Sequence, residues 1–289
     1  MEEATSALDV TQYWVHDLDP FLWQIYGNVG IRWYGLSYSL GINLTGMLLV
    51  RWSKQRRFPL APNDAWNYLF IISLGMFIGG RVGYCLFYSL EETLQTPLFL
   101  IQIWKGGMSS HGGILGMLAA HAIALRYYRC RPGVLADGIA AATPIGIAMG
   151  RLANFINGEL WGRPATVAWA VIFPRATSTV DYGVAVPRHP SQLYAVFLEG
   201  LLILAIALPI HARHRRPWLT TGVVMSAYSV GRFIDEFFRE PDTGYALFWG
   251  WMSKGQLFTI PTFLLGLGLI VWALRRPAAP EAYGWGSGQ

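Results

Sequence analysis

Seven apolar runs, each near the length needed to cross a bilayer, leave this chain few folds to choose from. They are Tyr34–Val50, Ala65–Tyr88, His111–Arg126, Val134–Leu152, Ser191–Ile210, Leu219–Phe237 and Leu257–Leu274, the last with no charged residue. Hydrocarbon offers no water to backbone N–H and C=O groups, so an apolar run of roughly 20 residues crosses it as an α-helix. The sequence therefore predicts an all-α polytopic membrane protein with seven transmembrane helices. Composition agrees. Hydrophobic residues make up 53% and charged residues 13%, where a soluble domain carries about 25% charge. The third and fourth runs are rich in Gly and Ala, which lets helix backbones approach closely in lipid.

The basic residues give these spans a direction. Arg51, Lys54, Arg56 and Arg57 follow the first run, and Arg126, Arg129 and Arg131 the third. Arg213, Arg215 and Arg216 follow the fifth, and Arg275 and Arg276 the seventh. With seven spans all of them lie on one side, which the positive-inside rule makes cytoplasmic. The N-terminus is then outside and the C-terminus cytoplasmic. The formal charge of +5 sits in these short blocks, so it reads as a topology signal and not as a nucleic-acid surface. Met1-Glu2-Glu3 is acidic with no apolar stretch behind it, which argues against a cleavable signal peptide.

The chain is expected to form a single integral membrane domain over 1–289. Within it, 154–190 is expected to be a small extracytoplasmic cap with a short strand over Val167–Phe173, and Glu91–Ser110 an interfacial arm. Residues 277–289, rich in Pro, Gly and Ala, are expected to form a flexible cytoplasmic tail. No internal repeat is visible, which weighs against an inverted-repeat transporter.

Polar side chains packed against membrane spans are expensive and need a reason. The densest group is Gly150–Arg163, which sets Arg151, Asn154, Asn157, Glu159 and Arg163 directly after the fourth apolar run. A second cluster, Gly79–Tyr84, places Arg81 among small residues, either as a paired arginine on a packing face or as a functional cation. A third, Gly106–Gly113, leaves His111 with glycines on both sides. A His can exchange a proton near neutral pH, although a lone His is more often a structural hydrogen bonder. No second His stands at i+3 or i+4 and no CxxC spacing occurs, so no metal site is expected. The fourth cluster puts Tyr228, Arg232 and Glu236 at i, i+4 and i+8, on one face of a helix. That is either a bundle-stabilising ion pair or a functional stripe. All four clusters fall toward the predicted outer face, where cations oppose the insertion bias, as expected if several serve an anionic ligand. Cys85 and Cys130 read as ordinary free thiols.

In these residues the chain resembles the bacterial phosphatidylglycerol–prolipoprotein diacylglyceryl transferases. Gly150–Gly162 matches that family's G-R-x-[GA]-N-F-x-N-x-E-x-x-G pattern, with Ala153 where Gly or Ala is admitted. Arg32–Leu36, Gly79–Tyr84, Gly107–Gly113, Arg188–Tyr194 and Arg232–Asp242 are also similar, in the family's order and over most of the chain. Lys105, Ser110 and Ala195 depart from its usual residues, at positions that carry no catalytic group. The resemblance implies a multi-pass enzyme of the bacterial inner membrane. Such an enzyme moves the diacylglyceryl group of phosphatidylglycerol to the lipobox cysteine of prolipoprotein signal peptides and releases glycerol phosphate. It implies no metal and no organic cofactor. Carried over by motif, the catalytic residues would be Tyr34, His111, Arg151, Tyr228, Arg232 and Glu236. Arg151, Asn154, Glu159, Arg232 and Arg239 would bind phosphatidylglycerol.

The chemistry asks for residues of these kinds. The nucleophile arrives with the substrate, so neither cysteine of this chain is required. A thiol with a pKa of about 8.5 must lose its proton, and His111 is the expected base. Arg151 and Arg232 offer planar forks for an anionic phosphate ester. Asn154 and Glu159 can bind headgroup hydroxyls or orient the arginines, and Tyr34 and Tyr228 can hydrogen-bond through their hydroxyls. A hydrolase with an aspartic dyad is a rival, but Asp137 and Asp235 fall near opposite faces in this topology. A non-catalytic lipid-binding scaffold stays open on sequence.

Overall fold

Each apolar run becomes a helix, and the helix ends fall within a few residues of the ends of the run. The computed structural model describes residues 12–27, 29–176, 186–241 and 247–284. Helix α1 spans Trp33–Lys54, α2 Pro62–Phe87, a short α3 Leu90–Gln95, α4 Ser110–Tyr128 and α5 Pro132–Ile156. Helices α6 (Ser191–Ala195) and α7 (Leu202–Arg213) are joined through a π-helical turn, Val196–Leu201, into one helix. Helices α8 (Leu219–Phe238) and α9 (Lys254–Leu274) complete the set. Pro62 and Pro132 open α2 and α5, where a missing N–H is harmless. The hydroxyl of Ser109 caps α4 by accepting from the Gly112 amide at 3.2 Å. Ser253 and Gln256 form a reciprocal capping box at the start of α9.

Four of these helices are long and apolar enough to cross a membrane: Pro62–Phe87, Pro132–Ile156, Ser191–Arg213 and Lys254–Leu274. Helices α1, α4 and α8, of 22, 19 and 20 residues, have the length but fall short in apolar composition. For α8 the reason is on its face, since Arg232, Asp235 and Glu236 all lie within it.

The chain forms two compact units. One comprises Gly46–Ile139, Arg215–Pro217 and the described part of Ala278–Gln289. Its centre is the pairing of α2 with α4, built on glycine. A Cβ added to Gly79 would land on the Gly112 carbonyl, and one on Gly116 would land on the Gly75 carbonyl. The two backbones therefore touch, as small residues allow in lipid. Gly116→Leu is expected to cost about 1–3 kcal/mol by overpacking and to lower the melting temperature in detergent. Gly268→Ala, in α9 with nothing within 4 Å of the new methyl, is expected to leave it unchanged.

Across the same pair of helices the Tyr68 hydroxyl meets His121 Nδ1 at 2.9 Å, giving that span histidine a partner invisible in the sequence. Arg81 is buried and donates to the carbonyls of Phe99, Leu100, Gln102, Gly106 and Gly107. These carbonyls belong to the segment read as an arm, which folds as α3 and two 3-10 turns, Pro97–Ile101 and Ile103–Lys105. Arg81 thus anchors the arm through its backbone, while Leu94, Leu98, Ile101, Ile103 and Trp104 stay exposed.

The tail corrects one expectation. Pro280–Tyr283 forms a 3-10 turn, and Tyr283 is buried and donates to Asp137 Oδ2 at 2.8 Å. Burial, and then the charge of Asp137, pushes the Tyr283 hydroxyl above the ordinary tyrosine range. A Pro/Gly-rich composition hid one aromatic anchor, so residues 277–284 are not a free tail. Residues 285–289 lie outside the described residues.

The other unit comprises the described parts of Met1–Thr45, Ala140–His214 and Trp218–Pro277. Helices α8 and α9 pack closely, and a Cβ on Gly222 would meet the Gly266 carbonyl at 2.7 Å. Two small sheets accompany the helices. In the first, β1 (Trp14–Val15) runs parallel to β4 (Val171–Ile172), which pairs antiparallel with β5 (Pro187–Arg188). The strand expected over Val167–Phe173 is thus confined to two residues, because Pro174 and the turn at Val167–Ala170 bound it. The second sheet, β2 (Phe21–Tyr26) with β3 (Val29–Arg32), is an antiparallel hairpin absent from the sequence expectations.

Candidate active site

Helix α5 does not stop at Leu152 but continues to Ile156. Arg151 and Asn154 therefore stand on its last turns, three residues apart and on neighbouring sides. Beyond them Gly158 takes φ +62 and Leu160 φ +56, which turns the chain back on the helix end. That reversal brings Glu159 to Asn154, whose Nδ2 donates to Glu159 Oε1 at 2.8 Å and to the Tyr34 hydroxyl at 3.3 Å. Gln192 Nε2 donates to the Glu159 carbonyl at 2.7 Å. His16, buried in the N-terminal segment, meets the Phe155 carbonyl at 2.7 Å and packs by Gly158.

Arg151 points to a residue that sequence reasoning missed. Its Nε and Nη2 donate to Glu199 Oε2 at 3.1 and 2.9 Å. Glu199 sits in the π-helical turn and is 0% exposed. Its other oxygen, Oε1, accepts from Arg232 Nη1 at 3.4 Å. One carboxylate thus joins an arginine of α5 to an arginine of α8. The signal was there, since Glu199 is the single acid between Ser191 and Arg213, and an ionisable residue inside a span is a functional hypothesis by itself.

On α8 the predicted stripe is present. Arg232 Nη2 donates to Glu236 Oε1, and Nη1 also donates to Asp235 Oδ2 at 3.2 Å. Arg239 Nη1 lies 3.9 Å from Glu236 Oε1. Glu236 Oε2 accepts from the Ser253 hydroxyl at 2.6 Å. Ser253 is the N-cap of α9, so the carboxylate faces the positive end of that helix. Gly255 makes the approach possible, since a Cβ there would meet the Glu236 carboxylate carbon at 2.6 Å. Tyr228 lies within electrostatic reach of Glu199, Arg232 and Arg151.

The rest of the Gly150–Arg163 segment holds the fold. The Gly162 amide donates to the His189 carbonyl at 2.9 Å, and the Arg163 amide to the Phe238 carbonyl at 2.8 Å. A Cβ on Gly162 would collide with both carbonyls. Arg163 Nε donates to the Arg239 carbonyl at 3.1 Å. Arg188, 0% exposed, donates to the Gly162 carbonyl at 3.1 Å and to Glu240 Oε2 at 3.2 Å. These bonds tie the segment to the end of α8. Beside them burial lowers the pKa of His189, whose Nδ1 meets the Tyr194 hydroxyl at 3.0 Å.

Of the residues singled out in the sequence, Tyr34, Arg151, Asn154, Glu159, Tyr228, Arg232, Glu236 and Arg239 all belong to this one unit. His111 belongs to the other unit, exposed on the first turn of α4. Alongside the polar network, helix α8 borders an apolar groove of about 350 Å³ that includes Leu198, Ile203, Val223, Val230, Ile234 and Phe263. Polar, charge-dense chemistry and an apolar trough thus share one helix.

The family model for prolipoprotein diacylglyceryl transferase matches residues 20–272. The phosphatidylglycerol–prolipoprotein diacylglyceryl transferase of Geobacter sulfurreducens is 41% identical over 263 residues, covering 91% of this chain and 98% of the relative. That of Photobacterium profundum is 43% identical over 269 residues, covering 89% and 94%. That of Azospirillum brasilense is 42% identical over 266 residues, covering 91% and 97%.

Proposed function

The chain belongs to the prolipoprotein diacylglyceryl transferase family, and on that premise we propose how its residues perform the reaction. It is a transferase that moves the diacylglyceryl group of phosphatidylglycerol to the lipobox cysteine thiol of a prolipoprotein, the first step of lipoprotein maturation. The observation that carries the site assignment is the Arg151–Glu199–Arg232 bridge. It holds two guanidinium forks at one buried point, beside an apolar groove suited to acyl chains.

The substrate phosphate diester carries one negative charge. The thiolate attacks the glyceryl carbon that bears the phosphate, forming an S–C bond. The C–O bond breaks, and its electron pair passes to the phosphate oxygen, so glycerol phosphate leaves with a second negative charge. Arg151 and Arg232 bind the phosphate and stabilise that growing charge in a low-dielectric site. Asn154, Glu159 and Tyr34, already bonded to one another, orient the headgroup hydroxyls. Tyr228 adds a hydroxyl, Glu236 braces Arg232, and Arg239, 3.9 Å from Glu236, is a further cation for the lipid phosphate. His111 takes the thiol proton. The reading calls for no metal and no organic cofactor.

All seven long helices cross the inner membrane in this account, as a single membrane domain. The basic loops and the C-terminus are cytoplasmic, and the N-terminus, the cap over 154–190 and the arm are on the outer side. Helix α8 crosses despite its charges because they turn to protein: Asp235 and Glu236 are buried. The signal peptide of the prolipoprotein is the second substrate, and it too arrives through the bilayer.

The test is the purified protein in phosphatidylglycerol nanodiscs with a lipobox peptide. A diacylglyceryl mass gain on the Cys peptide and none on its Ser counterpart is expected; an unmodified Cys peptide would contradict the reading. His111→Gln is expected to lower kcat by about 10²–10⁴-fold and to change its pH dependence. Near-normal transfer with the same pH profile would overturn the base assignment.

A further inference from the structure

Two close approaches set the geometry of the bridge. A Cβ on Gly200 would meet Ala148 of α5 at 2.6 Å, and one on Gly231 of α8 would meet the Leu198 carbonyl at 2.9 Å. The π-helical turn is therefore pressed against α5 three residues from Arg151, and against α8 one residue from Arg232. Such turns recur at functional sites because the extra residue re-aims a side chain. Here the side chain is Glu199, and both of its oxygens are used, one for each arginine. The bonds made leave Arg151 Nη1 and Arg232 Nε without a protein acceptor among the described residues, so these donors are available to a phosphate.

Charge acts in the same direction. Arg151, Arg232 and Arg239 are joined in one network with Glu199, Asp235 and Glu236. Their formal charges cancel. Arg232 has three acidic partners, whereas Arg151 has Glu199 alone among the described residues. Guanidinium groups offset by carboxylates in this way attract an anion modestly in the ground state. Their oriented N–H groups still meet charge that grows during bond cleavage, which is where binding raises turnover.

Resting on the reading that Arg151 and Arg232 bind the lipid phosphate, we infer that Glu199 is a positioning residue for both. It fixes their spacing and offsets their charge, so that the phosphate is held most tightly as the C–O bond breaks and glycerol phosphate can then leave. This role separates from simple packing, because removing the carboxylate charge should slow transfer yet tighten the grip on an anionic product.

The experiment uses the full chain in phosphatidylglycerol nanodiscs with a lipobox peptide, and glycerol phosphate added as an inhibitor. Glu199→Gln is expected to lower kcat about 100-fold. Its inhibition constant for glycerol phosphate is expected to fall about tenfold, as one fewer negative charge at a partly desolvated site allows. Glu199→Asp keeps the charge but shortens the reach. It is expected to lose kcat at least about tenfold with an inhibition constant within about threefold of wild type. A Glu199→Gln kcat within about threefold of wild type overturns the inference. So does a kcat loss with an unchanged inhibition constant, the signature of lost folded enzyme. If Glu199→Gln does not fold, wild-type kcat in Glu199→Asp overturns it alone. A wild-type protein that fails to modify the peptide is a different result, since it removes the transferase reading itself.

Discussion

Arg232→Ala is expected to reduce diacylglyceryl transfer about 10²–10³-fold per folded molecule, the usual effect of removing a donor aimed at developing charge. Three carboxylates converge on this guanidinium: Glu199, Asp235 and Glu236. Its planar fork serves all of them at once, and a lysine ammonium cannot reproduce that geometry. Arg232→Lys is therefore expected to recover little of the lost rate. Steady-state transfer to a lipobox peptide, normalised to the monodisperse fraction in detergent, reads the effect. Transfer by Arg232→Lys at the wild-type rate would show that charge alone suffices and that the fork is irrelevant.

Glu236→Ala is expected to act mainly on stability. The carboxylate accepts from Arg232 and Ser253 and faces Arg239. Removing it leaves two half-buried cations short of a partner and the α9 cap without its acceptor, which costs about 2–4 kcal/mol. The melting temperature in detergent should fall clearly, and Glu236→Gln, which can still accept from Ser253, should recover part of the loss. An unchanged melting temperature with lost transfer would instead make Glu236 a group that acts on substrate.

The helices were legible because apolar length has one physical outcome in lipid. Their ends were less so, and α5 shows why it mattered. Ending it at Leu152 put Asn154 in a loop, whereas the helix to Ile156 sets Asn154 and Arg151 on one rigid element. The Asn154–Glu159 contact depends on positive φ at Gly158 and Leu160, which residue spacing does not encode. The β2–β3 hairpin lies ahead of the first apolar run, where apolar length gives no signal. Its cues were the β-rich Phe21–Arg32 stretch and the turn at Gly27, which takes φ +51. Glu199 stands alone in its apolar span, outside every dense polar motif, yet a lone acid there carries as much information. Arg81 was open between packing and function, and its bonds to five carbonyls give it a structural task.

Joint action of Arg151 and Arg232 on one phosphate, as proposed, has a kinetic signature. A double-mutant cycle tests it most directly: kcat for transfer in wild type, Arg151→Ala, Arg232→Ala and the double variant, each checked for folding. Residues that act as a unit are strongly non-additive. The double variant is expected to be slower than the worse single variant by less than about tenfold. Losses that multiply would contradict it, because each arginine would then be acting on a separate part of the reaction.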